Sequence, residues 1–109
     1  MKLAISTSGK DLTSPLTGFG RARSFIIYDT ETQDFKTLSN EKNMAAGRGA
    51  GTKTAQDIEK AGADAVISAK MGPKALSYLQ GKKIPSYVAN QSTVREAIEA
   101  YVNGELQPS

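Results

Sequence analysis

Over its second half the chain alternates helix-like and strand-like segments, and a glycine turn stands directly before two of the helices. Strand–helix–strand units pair their strands in parallel and lay the helices over the sheet, which confines the chain to α/β topologies. Residues 3–7 form a short apolar run suited to a buried first strand. Residues 8–20, rich in Gly, Ser, Thr and Pro, read as a loop. Residues 24–29 are β-branched and aromatic, and residues 35–38 alternate as a half-exposed strand across a polar turn, which predicts an antiparallel hairpin. A loop over residues 39–50 leads to a helix at residues 52–61 on a thin stripe of Ala55, Ile58 and Ala61, ended by Gly62. Residues 64–69 are the next strand. Pro73 then opens a helix carrying Ala75, Leu76 and Leu79 that Gly81 stops, and residues 86–89 form the last strand.

The final helix has the clearest signals. Thr93 and Glu96 have the spacing of a capping box, which satisfies otherwise orphaned backbone donors. Val94, Ala97, Ile98, Tyr101 and Val102 follow on one broad apolar face, and Gly104 closes the helix. The order β-β-β-α-β-α-β-α predicts a mixed five-stranded sheet with an N-terminal antiparallel hairpin and three flanking helices. One domain over residues 1–106 and a frayed tail at 107–109 are expected.

Three glycine turns carry cations: Gly18-Phe19-Gly20-Arg21, Gly47-Arg48-Gly49-Ala50-Gly51 and Met71-Gly72-Pro73-Lys74. Glycine lets N–H groups turn toward a common point, and a helix N-terminus adds partial positive charge there. Gathered at one sheet edge, the turns make a cradle for an anion. Each also has a plainer reading: a flexible loop letting a helix start close to the sheet, Phe19 as a core plug with Arg21 as a solvated charge, and Gly-Pro as helix punctuation. Lys74 fits the plain reading poorly, because a cation in the first turn opposes the helix dipole. Neither a Walker loop nor a GxGxxG fingerprint is present.

Composition narrows the chemistry. With no cysteine and no histidine, disulfides, thiolate metal sites and the commonest acid–base and nucleophilic chemistries are excluded. The first strand carries no carboxylate, which disfavours a metal-dependent nuclease, and Asp11, Asp29 and Asp34 read as surface acids rather than as a cluster. Met44 and Met71 are soft thioethers near two of the turns, or else gap fillers in the core. The net charge of +3 favours anionic ligands, while the scattered basic residues make no nucleic-acid stripe. Without a membrane-length apolar run or a signal-peptide core, a soluble cytoplasmic protein is expected, a monomer or weak dimer.

Several of these segments together resemble a known family. They are the strand at residues 2–6, Gly18-Phe19-Gly20-Arg21-Ala22, Asp29-Thr30-Glu31-Thr32, Gly49-Ala50-Gly51, Ala63-Asp64-Ala65-Val66-Ile67, Gly72-Pro73-Lys74-Ala75, Thr93-Val94-Arg95-Glu96-Ala97 and Asn103-Gly104-Glu105-Leu106. In this order they resemble the dinitrogenase iron–molybdenum cofactor biosynthesis family over residues 1–106. The resemblance implies a ribonuclease H-like three-layer fold without nuclease activity. It also implies a carrier or scaffold for iron–molybdenum cofactor or its precursors, working with cofactor-assembly proteins. A related branch, the orange protein of sulfate reducers, holds a molybdenum–copper sulfide cluster without covalent protein ligands. The contacts implied by the motifs are Gly18, Phe19, Gly20, Arg21, Gly49, Ala50, Gly51, Gly72, Pro73 and Lys74, with Arg48 as a further donor and Met71 beside them.

Many members of that family have histidine where Gly18 stands and another where Arg48 stands. Their replacement here points to capture of an anionic metal–sulfur cluster by backbone N–H groups and by Arg21, Arg48 and Lys74, rather than by ligation. The alternatives are a regulatory or interaction module of the same fold that has lost the cluster, a generic phosphate or anion binder, and an enzyme of ribonuclease H-like fold.

Overall fold

The computed structural model describes residues 1–45 and 49–109. Strands β1 (Lys2–Thr7), β2 (Ser24–Asp29) and β3 (Phe35–Ser39) form an antiparallel meander, with Lys2 opposite Asp29 and Tyr28 opposite Phe35. After a short helix α1 (Glu41–Met44), helix α2 (Ala50–Lys60) carries the chain to β4 (Ala65–Ser68), which pairs in parallel with β1. Helix α3 (Pro73–Gly81) leads in the same way to β5 (Ser86–Val88), parallel to β4. Helix α4 (Val94–Val102) precedes β6 (Gln107–Pro108), antiparallel to β5. The result is a mixed six-stranded sheet in the order β3-β2-β1-β4-β5-β6.

Side-chain alternation along the strands splits the core between two faces. Ala4, Phe25, Ile27 and Val66 pack with Ala55 and Ile58 of α2 and with Ala75 and Leu79 of α3. Their neighbours Leu3, Ile5, Ile26, Ala65 and Ile67 point the other way, onto Val94, Ala97 and Ile98 of α4. Strands β1 and β4 are buried on both faces, which explains their nearly continuous apolar sequence.

Five expectations need correction. The sheet has six strands, not five, and the tail is not frayed: Val88 pairs with Gln107, and the Ser109 N–H donates to the Ser86 carbonyl at 2.9 Å. Two residues are too few to show a period of two, and Pro108 is tolerated because β6 is an edge strand. The loop before α2 contains one helical turn, α1, where the Asn40 carbonyl accepts from the Asn43 and Met44 N–H groups. Val102 is not on the buried face of α4 but 65% exposed, whereas Ala100 is buried. At 100° per residue Val102 lies about 80° from Val94, on the Ile98 side, and the buried arc extends the opposite way. Met44 is exposed and fills no core gap, while Met71 packs partly buried against the α2–α3 side.

The capping box at α4 forms as read: the Thr93 hydroxyl accepts from the Glu96 N–H, and the Glu96 carboxylate accepts from the Thr93 N–H. Helices α2 and α3 are tied to each other by a polar link, with the Tyr78 hydroxyl donating to Glu59 Oε1 at 2.6 Å. That bond and the nearby carboxylate charge hold the Tyr78 phenol above its usual ionisation range. A raised value means the folded state keeps its proton longer than the unfolded chain, so the contribution is full at neutral pH and is lost as the pH rises through the folded-state value. The stability difference between wild type and Tyr78→Phe should therefore shrink above pH ~10, read by urea denaturation at a series of pH values.

Candidate functional site

The pairing directions fix which loops share an edge. The carboxyl ends of β1, β4 and β5 point the same way, as do the start of β2 at Ser24 and the end of β3 at Ser39. The loop after β1 carries Gly18–Arg21, the connection from β3 to α2 carries Gly49, and the loop from β4 to α3 carries Gly72. All three glycine turns thus reach the carboxyl edge of the parallel strands, where open α/β sheets take their ligands. Gly47 and Arg48 lie outside the described residues.

Backbone bonds bring the first turn against the third. A 3-10 turn over Phe19–Arg21 follows Gly18, and the Phe19 N–H donates to the Lys70 carbonyl at 2.7 Å. Two residues before Phe19 and one before Lys70, a second bond joins the same segments, the Ala69 N–H donating to the Thr17 carbonyl at 2.9 Å. Phe19 is buried edge-on against Phe25, with ring centroids 5.3 Å apart, so the turn is anchored by its own side chain.

Two adjoining cavities open here. One, of about 370 Å³, is lined by Phe19 and Gly20, by Gly49 to Thr52, and by Gly72 to Ala75. The other, of about 340 Å³, is lined by Gly18, Gly20, Arg21, Lys70 and Gly72. Gly20 and Gly72 belong to both and join them. Of the residues expected from sequence, all but Arg48 and Met71 line one cavity or the other, and Met71 packs on the core side instead. Lys70, Thr52 and Ala75 were not anticipated. Lys70 has a sequence signal in its position just past the buried strand β4, where that edge begins.

Helices α2 and α3 both present their N-termini to the first cavity, and neither has a side-chain cap or an acidic residue in its first turn. First-turn N–H groups have no acceptor within the helix and carry the positive end of its dipole. Helix α4, which lies on the opposite face, has both a capping box and Glu96. The two uncapped ends face a cavity, and the capped one needs no ligand.

The glycines separate into two kinds. Gly49 has φ +76°, a left-handed conformation that side chains rarely adopt, so its role is conformational. Gly72 has φ −75° and ψ 156°, ordinary extended backbone, and a Cβ there would meet nothing within 4 Å. Gly20 likewise has open space where a Cβ would stand. Neither packing nor backbone geometry requires glycine at 20 or 72, and both residues line both cavities.

A metal held by side-chain ligation does not fit this edge. Among the described residues no group of three His, Cys, Asp or Glu could hold an ion. Asp29 and Asp34 flank the β2–β3 hairpin turn at the opposite end of the sheet from Asp11, so the three carboxylates do not meet. Asp11 accepts from Thr13 and Ser14, and Asp29 from the Glu31 and Thr32 N–H groups, bonds that hold both carboxyls below their usual range. The donors that converge at the glycine edge are N–H groups and cations, which suit an anion.

These features define a small α/β protein with a cationic, backbone-lined cradle at the carboxyl edge of its parallel strands. The chain belongs to the dinitrogenase iron-molybdenum cofactor family, which it matches over residues 1–104. It is 31% identical over 98% of its length to an uncharacterized protein of Methanocaldococcus jannaschii, covering 90% of that protein. Its fold is similar to the apo form of the orange protein from Desulfovibrio gigas, with a TM-score of 0.94 at 28% identity over 99% of this chain and 92% of that one. It is also similar to a Thermotoga protein of the DUF35 family proposed to be a NifB protein, with a TM-score of 0.86 at 34% identity over 98% and 91%. Among the described residues no helix is long and apolar enough to cross a membrane.

Proposed function

We propose that this protein is a non-enzymatic carrier or scaffold of ribonuclease H-like fold that holds an anionic metal–sulfur cluster. The cargo is of the iron–molybdenum or molybdenum–copper sulfide class, and it is exchanged with cofactor-assembly proteins. The cluster is bound as an anion: first-turn N–H groups of α2 and α3 face it, and Arg21, Lys70 and Lys74 neutralise its charge. The observation that carries this reading is the pair Gly20 and Gly72, which line both cavities and leave open the space a Cβ would occupy. Family membership supplies the class of cargo, and the chain's lack of His and Cys makes ligation by those groups impossible.

Titration with tetrathiomolybdate, with and without copper, tests it. Visible charge-transfer bands should appear, with amide shifts at residues 18–21, 49–52 and 72–75. No bands and no shifts at those amides would sink the proposal, and shifts produced equally by phosphate would reduce the site to a general anion binder. Gly72→Val should keep stability within about 0.5 kcal/mol of wild type, since valine suits extended backbone before proline, and should abolish uptake.

Gly18→His tests how the cargo is held. Gly18 has φ −68°, and an added Cβ would make only ordinary contact with the Lys70 side chain, at 3.5 Å. The variant should fold normally and gain a pH dependence that the histidine-free wild type lacks. Capture by charge predicts uptake that strengthens as the pH falls through about 6.5, because the imidazolium adds a cation. Strengthening as the pH rises would instead mark ligation by the neutral ring.

A further inference from the structure

A helix whose N-terminus is left open to a ligand cannot be fixed by a cap at that end, so its position must be set from further back. Helix α2 is held in this way. One turn inside it, the Thr54 hydroxyl donates to Asn40 Oδ1 at 2.9 Å. The Asn43 amide donates both to the same Asn40 oxygen, at 2.9 Å, and to Asp57 Oδ2, at 2.7 Å. The remaining polar end of Asn40 turns the other way, with Nδ2 donating to the Ala22 carbonyl at 2.8 Å. The Asn40 backbone N–H donates to the neighbouring Arg23 carbonyl, also at 2.8 Å. Ala22 and Arg23 are the exit of the first glycine turn, directly after Phe19–Arg21.

Asn40 is 5% exposed and Thr54 3% exposed, so this network lies in the interior, where a polar group is costly unless every partner is in place. The donors and acceptors match. Asn40 uses its oxygen twice and its amide once, and Asn43 uses its amide for two acceptors. Only an amide can serve at position 40. An aspartate would set its carboxylate against the Ala22 carbonyl, and an apolar residue would leave Thr54 without its acceptor and take one of two acceptors from Asn43. Helix α3 joins the same chain of links through the Tyr78–Glu59 bond.

We propose that Asn40 is the positioning residue of the anion cradle: it sets the spacing between the Phe19–Arg21 turn and the N-terminus of α2 without lining either cavity. Because this rests on the carrier reading above, its test includes a measurement that needs no cargo. Tetrathiomolybdate affinity is measured for Asn40→Ala, Thr54→Val and Thr54→Ser, in conditions where urea curves show each fully folded. Asn40→Ala and Thr54→Val should bind about tenfold more weakly, as expected when binding groups are displaced by a fraction of an ångström. Thr54→Ser keeps the hydroxyl donor and should bind like wild type.

In the ligand-free proteins, residual dipolar couplings should report a changed orientation of α2 relative to β2 in Asn40→Ala and Thr54→Val, and none in Thr54→Ser. Wild-type affinity in Asn40→Ala, or in Thr54→Val should Asn40→Ala not fold, overturns the proposal, as does an unchanged helix orientation. If wild type itself takes up no tetrathiomolybdate, the carrier reading fails, and the couplings alone decide whether Asn40 positions α2.

Discussion

Replacing Lys74 by glutamine should raise the stability of the protein while lowering its affinity for an anionic cluster. Lys74 stands in the first turn of α3, a helix with no side-chain cap and no acidic residue at that end, so its charge repels the helix dipole in the ligand-free protein. Removing a cation from that position is worth a few tenths of a kcal/mol. The same cation lines the cavity shared by the glycine turns and would attract the cargo there. Arg21, which lines the adjoining cavity, carries no such conflict with a helix N-terminus. Both side chains are exposed, so each is worth about 1 kcal/mol to an anion once solvent screening is allowed for. Arg21→Gln with Lys74→Gln should then weaken tetrathiomolybdate binding about thirtyfold at low salt. Lys36→Gln with Lys60→Gln makes the same reduction in net charge away from the glycine cavities and serves as the control, with little effect expected. Equal losses in the two double variants would mean that only long-range charge matters. A loss of both stability and affinity in Lys74→Gln would make Lys74 a structural residue.

Much of this arrangement was legible in the sequence because its signals are local. Thr93 and Glu96 announce a helix start by their spacing alone, and the residues that form the bonds are the residues that make the pattern. Pro73 marks the first turn of α3 for the same reason. The glycine turns were visible as composition, but their meeting at one edge depends on strand direction, which comes from the pairing of β1 with β4 and β5. What stayed hidden depends on contacts between distant segments. Asn40 and Asn43 are polar residues in a polar stretch and read as loop, although their partners are Ala22, Thr54 and Asp57. Lys70 belongs to no motif, and the bond from Phe19 to its carbonyl is what sets it beside the first turn. The cation at 48 lies outside the described residues, and the cations that line the two cavities among the described residues are Arg21, Lys70 and Lys74.

Phe19→Ala should cost about 3–5 kcal/mol of stability, the usual range for emptying a buried aromatic position. Phe19 is 2% exposed and packs edge-on against Phe25, inside the cluster that also holds Ile27, Ile58 and Leu79. For a chain of this length such a loss corresponds to a drop of roughly 10–20 °C in Tm. It is a large share of the total stability of a small domain. Phe35→Ala supplies the contrast. Phe35 is 42% exposed at the hairpin end of the sheet, and its removal should cost less than about 1 kcal/mol. Phe19 is also one wall of the cradle, and its N–H closes the bond to Lys70, so packing and site geometry are coupled through one residue. Phe19→Leu separates the two roles: leucine refills most of the volume at a cost below about 1.5 kcal/mol but changes the shape of the wall. A Phe19→Leu protein that remains folded and binds tetrathiomolybdate as wild type would make Phe19 a core plug alone. Weaker binding by the folded variant would make it both anchor and wall, the reason an aromatic ring follows Gly18 in a turn that must stay open to a ligand.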